Sequence, residues 1–118
     1  MKGDNIAQRL LEFTAKVLKL ATHLPTSPEG RHIARQLLRS GTATGAIYEE
    51  ARGAESRADF IHKIKVANKE MRESHYWLRL IVQTQLAPKS MTTSLISEAQ
   101  QLVAILTASA KTAQKIEK

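Results

Sequence analysis

SRADFIHKIKVANKEMRESHYWLRLIVQTQL, residues Ser56 to Leu86, carries a helical apolar pattern from end to end with no glycine or proline to break it. Phe60, Ile64, Ala67, Met71, Ser74, Leu78 and Ile81 recur at alternating steps of four and three, which places them on one side of a helix. Ile61, Trp77 and Val82 widen that side. Ser56, followed three residues on by Asp59, supplies a capping start, and Pro88 marks the stop. A helix with one long apolar side cannot bury it alone, so the remaining chain reads as material to cover it.

The segment from Asp4 to about His23 has Ile6, Leu10, Phe13, Val17, Leu20 and Leu24 at four-three spacing, a bundle seam. Leu24-Pro25-Thr26-Ser27-Pro28 ends it, and Ser27 before Pro28 reads as the N-cap and first residue of the next helix. That second helix runs from Pro28 to about Arg52 and closes at Gly53, with Ile33, Leu37, Thr44, Ile47 or Tyr48, and Ala51 inward. Its middle, SGTATGA, is poor in large side chains. Gly41 and Gly45, four apart, are expected to admit a neighbouring backbone, each at a cost of about 1 kcal/mol in helix propensity. A phosphate-cradling glycine loop would need a preceding strand and a G-x-x-x-x-G-K-[ST] pattern, and neither is present.

After a turn at Ala87-Pro88-Lys89-Ser90, the fourth segment runs from about Met91 to Glu117. Leu95, Ala99, Leu102, Leu106, Ser109, Ala113 and Ile116 form its stripe. Ile96, Val103 and Ile105 lie beside that stripe, and Glu98 is the sole charge between Met91 and Ala110. Apolar character on more than one side predicts burial against a second surface such as another subunit. No strand-like alternation occurs. The expectation is an all-α, single domain over residues 1–118, its short links favouring antiparallel neighbours.

The absence of cysteine excludes disulfides and thiolate metal sites and fits a reducing cytoplasm. The N-terminus, MKGDNIAQRLLEF, turns polar too early for a signal peptide, and no apolar run approaches the roughly twenty residues that span a bilayer. A cytoplasmic protein with no membrane partner is expected. A net charge of +7 favours an acidic partner, with nucleic acid foremost. The alternative is a solvated basic surface, because the excess of Lys and Arg is spread over every quarter of the chain and no run of five like charges exists.

Arg31, Arg35 and Arg39 stand at steps of four along the second helix, so their guanidinium groups share a side and can grip a phosphate backbone. The competing reading pairs them with carboxylates of a neighbouring helix or subunit. Lys63, Lys65, Lys69, Arg72 and Arg79 give the third helix a basic side, but the interleaved Asp59, Glu70 and Glu73 predict pairing along the helix. Lys111 and Lys115, with Lys118, make a basic end to the fourth helix and the second part of the expected nucleic-acid-binding set.

Glu29 with His32 and Asp59 with His62 have the carboxylate-x-x-His step of paired metal sites in bundles. Both lie in first turns, where acidic residues answer to the helix dipole, so no metal and no cofactor is expected. His75 reads as a packed polar residue, and no Ser-His-Asp or Cys-His arrangement can be assembled, so no catalytic residue is named. Tyr48, Tyr76 and Trp77 could stack on bases only if exposed. Trp77 adjoins the inner stripe, which argues for phosphate and shape over single-strand stacking.

Gln36 to Ile81, QLLRSGTATGAIYEEARGAESRADFIHKIKVANKEMRESHYWLRLI, resembles the bacterial family labelled 23S rRNA-intervening-sequence protein. RSGT at Arg39 to Thr42, EEA-x-G-A-x-S-R-A-D-F at Glu49 to Phe60, and KE-x-RE-x-x-YWL at Lys69 to Leu78 carry the resemblance. Ile47 stands where the family usually has Asn, and Ala43-Thr44 replaces a more typical Ser-Ile or Ser-Val. The resemblance implies an antiparallel up-down four-helix bundle assembling as a ring-like homo-oligomer, a pentamer, with relatives among nucleic-acid-binding accessory proteins of diversity-generating retroelements. It implies no catalytic residues. The expected function is a non-enzymatic, homopentameric basic bundle that contacts RNA or DNA through phosphate. The alternative is a structural or adaptor ring that docks a protein such as a reverse transcriptase.

Overall fold

A computed structural model describes residues 3–116 as four helices, α1 (Asp4–Thr22), α2 (Pro28–Arg52), α3 (Arg57–Thr84) and α4 (Lys89–Ile116), with no strand among the described residues. The helical end expected at Glu117, the basic Lys118 and the stripe position expected of the Ile116 side chain lie outside what is described.

Local chemistry sets the helix ends. The Gly30 N–H donates to Ser27 Oγ (3.2 Å) and Pro28 opens α2. At α3 the Asp59 N–H, one of the donors that a helix start leaves unpaired, donates to Ser56 Oγ (3.0 Å), and the Glu55 N–H just before the cap donates to the Asp59 carboxylate (3.4 Å). α3 ends on Gln85 in the left-handed region (φ 57°), where the Gln85 and Leu86 N–H groups close onto the Val82 and Ile81 carbonyls.

Each helix packs antiparallel to the one before it, and α4 returns beside α1, giving an up-down bundle of 50 × 22 × 21 Å. Leu10, Phe13, Val17 and Leu20 of α1, Ile33 and Leu37 of α2, Ile64, Ala67, Met71, Leu78 and Ile81 of α3, and Leu95, Ala99, Leu102 and Leu106 of α4 fill the axis. α1 is tied to α4 by Arg9, which donates from Nε (3.0 Å) and Nη2 (2.7 Å) to the two oxygens of Glu98. Glu98, the lone charge of its stretch, thus serves a helix pair, and the guanidinium holds its carboxyl below the usual carboxylate range.

The inner stripes are those the spacing predicts, with shifts at the ends. Ile61 is buried and Phe60 only half-buried, and on α4 Ala110 takes the buried place expected of Ser109 and Ala113. Ile96 and Val103 pack against the core, so this part of the apolar breadth of α4 is consumed within the chain. Where α2 lacks large residues, hydroxyls replace them. Ser74 Oγ donates to Ser40 Oγ (2.8 Å), Ser40 Oγ to the Gln36 carbonyl (3.0 Å), and Thr44 Oγ1 to the Ser40 carbonyl (3.2 Å), so these fully buried groups are all paired.

The two glycines of SGTATGA differ in role. A Cβ on Gly41 would stand 2.8 Å from Val17 Cγ1, whereas one on Gly45 would meet Leu10 Cβ at an ordinary 3.6 Å. Gly30, which spacing does not single out, is tighter still, because a Cβ there would lie 2.1 Å from the Pro25 carbonyl oxygen. Chemical denaturation should therefore rank three variants. Gly45→Ala gains up to about 1 kcal/mol from helix propensity. Gly41→Ala loses stability by overpacking, and Gly30→Ala loses most, about 1–3 kcal/mol or more, because the obstacle is backbone.

Candidate nucleic-acid interface

The five residues expected to bind nucleic acid do not form one site. Arg31 and Arg35 are exposed in the first turns of α2 and make no ion pair among the described residues. Lys111 and Lys115 are exposed near the end of α4, at the opposite end of the bundle. At 1.5 Å of rise per residue the two groups are separated by roughly 30 Å along the axis.

Arg39 follows the competing reading of the row, pairing with carboxylates of a neighbouring helix. Its Nη1 donates to Glu70 Oε1 (3.0 Å) and its Nη2 pairs with Glu73, both across the α2–α3 seam. Trp77 Nε1 donates to the same Glu73 oxygen (2.9 Å), and the Trp77 ring meets His32 edge to face at 6.0 Å between centroids. This guanidinium is a link between helices, and its charge is already answered.

That link changes the reading of α3. Pairing along the helix was expected to neutralise its lysines and arginines, but Glu70 and Glu73 turn to α2 and Asp59 is engaged by the Glu55 N–H and by Lys63 (3.6 Å). Lys63 alone among the five cations makes ion pairs, reaching also towards Glu50 (3.9 Å). Lys65, Lys69, Arg72 and Arg79 are exposed and have no carboxylate partner among the described residues. Their steps of four, three and seven keep them on one outward strip, roughly 21 Å long.

α4 extends this surface. Asn68 Nδ2 donates to Thr107 Oγ1 (2.9 Å), and antiparallel counting from that bond sets Lys111 level with Ile64 and Lys65. Lys111 and Lys115 therefore continue the α3 strip on the adjoining helix. Every described carboxylate of α3 and α4 is turned to a neighbouring helix or to a helix cap, Glu98 included, so the outward α3–α4 face is cationic without interleaved acid. Spacing alone missed this face. The signal that could have found it was the phase of Glu70 and Glu73, which differs from that of Lys65, Lys69 and Arg72 on the helical wheel.

Tyr76 stands between Arg72 and Arg79 on the same strip and is 54% exposed. Its ring meets Trp77 edge to face at 5.1 Å. Tyr48 is buried, which raises its hydroxyl above the ordinary value, and Trp77 is half-buried. Among the described residues the other large exposed apolar side chains are Leu11 (64%) and Leu18 (47%), both on α1. Leu11 borders a groove of about 570 Å³ with Ala7, Thr42, Gly45 and Ala46. A larger cavity of about 990 Å³ opens where α1 begins and α4 ends, with Ile6, Phe60 and Ile105 among its walls. Arg52 at its rim is held by Asp4 and by Glu49 (3.2 Å).

The two carboxylate-x-x-His pairs stand at opposite ends of the bundle, in the first turns of α2 and α3, and no group of three or more His, Cys, Asp or Glu gathers among the described residues. His75 Nε2 is buried without a hydrogen-bond partner among the described residues, as is Asn68 Oδ1 seven residues away. Burial foremost, then the charge of Arg79, holds the His75 imidazole below its ordinary 6.5. No helix of the described residues is long and apolar enough to cross a membrane.

A family model described as 23S rRNA-intervening sequence protein matches residues 3–108. Among solved structures, a protein of unknown function from the S23 ribosomal protein family of Bacteroides thetaiotaomicron superposes with a TM-score of 0.83 at 33% identity, over 90% of this chain and 98% of that one. No curated protein matches.

Two measurements check these assignments. Arg39→Gln should lower the urea midpoint by the equivalent of about 0.5–1 kcal/mol, since its pairs are partly exposed. For His75, the unfolded side chain takes up a proton near 6.5 while the folded one resists it, so protons favour unfolding. Stability should hold above 6.5 and decline as pH falls from there towards the lowered folded value, and His75→Gln should reduce that slope.

Proposed function

The chain belongs to the 23S rRNA-intervening sequence protein family, and from that premise we propose a non-enzymatic, homo-oligomeric bundle that contacts RNA or DNA through phosphate. The observation that carries this reading is the acid-free cationic face of α3 and α4, with Lys65, Lys69, Arg72, Arg79, Lys111 and Lys115 outward and unpaired among the described residues. Six cations on one face offer a polyanion more than the same six dispersed among carboxylates, because neutralising several phosphates at once releases several counterions. Arg31 and Arg35 form a smaller secondary contact on α2, and Arg39 is reserved for the fold.

The assembly is a closed ring of identical copies, the pentamer that the family resemblance implies. Leu11 and Leu18, seven residues apart on the outward side of α1, are the apolar positions best suited to a contact between chains. The same two leucines favour a second reading, in which α1 docks a protein such as a reverse transcriptase and the basic face is incidental.

Labelled structured RNA and duplex DNA, titrated across a salt series against protein of determined solution mass, test the proposal. Binding should weaken steeply with salt, and K65Q/K69Q/R72Q should reduce the slope of log affinity against log salt by about 2–3, at roughly 0.7–0.9 per lost phosphate contact. R31Q/R35Q should change it by less. An intact oligomer that binds neither probe at low salt would overturn the phosphate reading in favour of protein docking.

A further inference from the structure

We propose that the α3–α4 face takes an unpaired polynucleotide strand, with Tyr76 as the platform on which a base stacks. The inference rests on the phosphate reading above and names the class of nucleic acid. Four observations converge on it.

Tyr76 is more than half exposed, so a face of its ring is open to a ligand. Its position on the strip puts Arg72 one turn before it and Arg79 one turn after it, so an aromatic face is flanked by phosphate-binding charge on both sides. The ring is also braced. Trp77, which it meets edge to face, is held through Nε1 by Glu73, and Glu73 is held by Arg39 from α2. A platform anchored in this way loses little further freedom when a base settles on it.

The fourth observation is the shape of the face. Below Tyr76 the seam between α3 and α4 opens a shallow cavity of about 290 Å³ bordered by Ile61, His62, Lys65 and Gln114, at the level where Lys111 and Lys115 join the strip. A basic track with an aromatic platform and a side cavity suits a strand whose bases are splayed out, since stacking tolerates any base and the cations follow the backbone. A duplex keeps its bases paired and can use the cations alone. Sequence spacing disfavours single-strand stacking because Trp77 adjoins the core. The ring that faces solvent is its neighbour.

The test uses the full chain and three labelled probes at one low salt concentration: a uridine RNA oligomer, a thymidine DNA oligomer of equal length, and a DNA duplex of that length. The single strands should bind more tightly than the duplex. Y76A should weaken single-strand binding about tenfold and change duplex binding less than twofold, and Y76F, which keeps the ring, should stay within about threefold of the parent. Single-strand binding should also change Trp77 fluorescence, because the platform touches that indole. Comparison of the two single strands distinguishes RNA from DNA as the source.

A duplex bound as tightly as the single strands, with Y76A weakening both equally or neither, would overturn the stacking assignment and leave the phosphate reading standing. No binding of any probe would remove both. A Y76A protein that stays helical but loses its parent mass in solution would overturn the proposal differently, by assigning Tyr76 to a contact with a second copy.

Discussion

Burying Ile64, Ala67, Met71, Ser74, Leu78 and Ile81 determines how α3 is rotated about its own axis, and with that rotation determined every other side chain of the helix has its neighbours chosen for it. Glu70 and Glu73 come to lie on the α2 side, where Arg39 meets them. Lys65, Lys69, Arg72 and Arg79 are carried to the outside, beyond those carboxylates. Hydrophobic burial is worth tens of kcal/mol across the bundle, while a partly exposed ion pair is worth at most about 1 kcal/mol. The charges therefore follow the core.

The polar interior is a second expression of the same constraint. Over SGTATGA, α2 offers small residues where its neighbours come near, and α1 comes close enough at Gly41 that a Cβ would collide with Val17. Ser40, Thr44 and Ser74 fill the remaining space, and the cost of burying hydroxyls is avoided because each one donates. Ser40 and Thr44 donate within α2, so the Ser74–Ser40 bond is the member of this layer that crosses to α3 and is broken by a slip of register. The Arg39–Glu73 pair lies one residue from the Ser40–Ser74 bond on both helices and depends on the same register.

Arg39 illustrates how the partners of a charge lie outside its own helix. In sequence it completes a row with Arg31 and Arg35, and the row has the spacing of a phosphate grip. In space it joins Glu70, Glu73 and, through Glu73, Trp77. Lys111 and Lys115 illustrate the reverse. They read as a dipole-favoured helix end and a separate part of the expected binding set, and antiparallel packing adds them to a surface built mainly by another helix.

The sequence by itself determined the four helices, their caps and most of the inner stripes, because these depend on steps of three and four, on Ser27 and Ser56, and on prolines, all local properties. It was also sufficient for the family resemblance carried by Gln36 to Ile81. Charge was not legible in the same way. Lys and Arg exceed Asp and Glu in every quarter of the chain, an even spread along the sequence that reads as a solvated surface. Only packing drew the carboxylates of α3 and α4 into seams and caps and left their cations together outside, with Tyr76 exposed among them and Trp77 turned inward. The physical reason is that helical periodicity is written within a dozen residues, whereas the partner of a charge is chosen by the rotation and register of a second helix, which no single segment encodes.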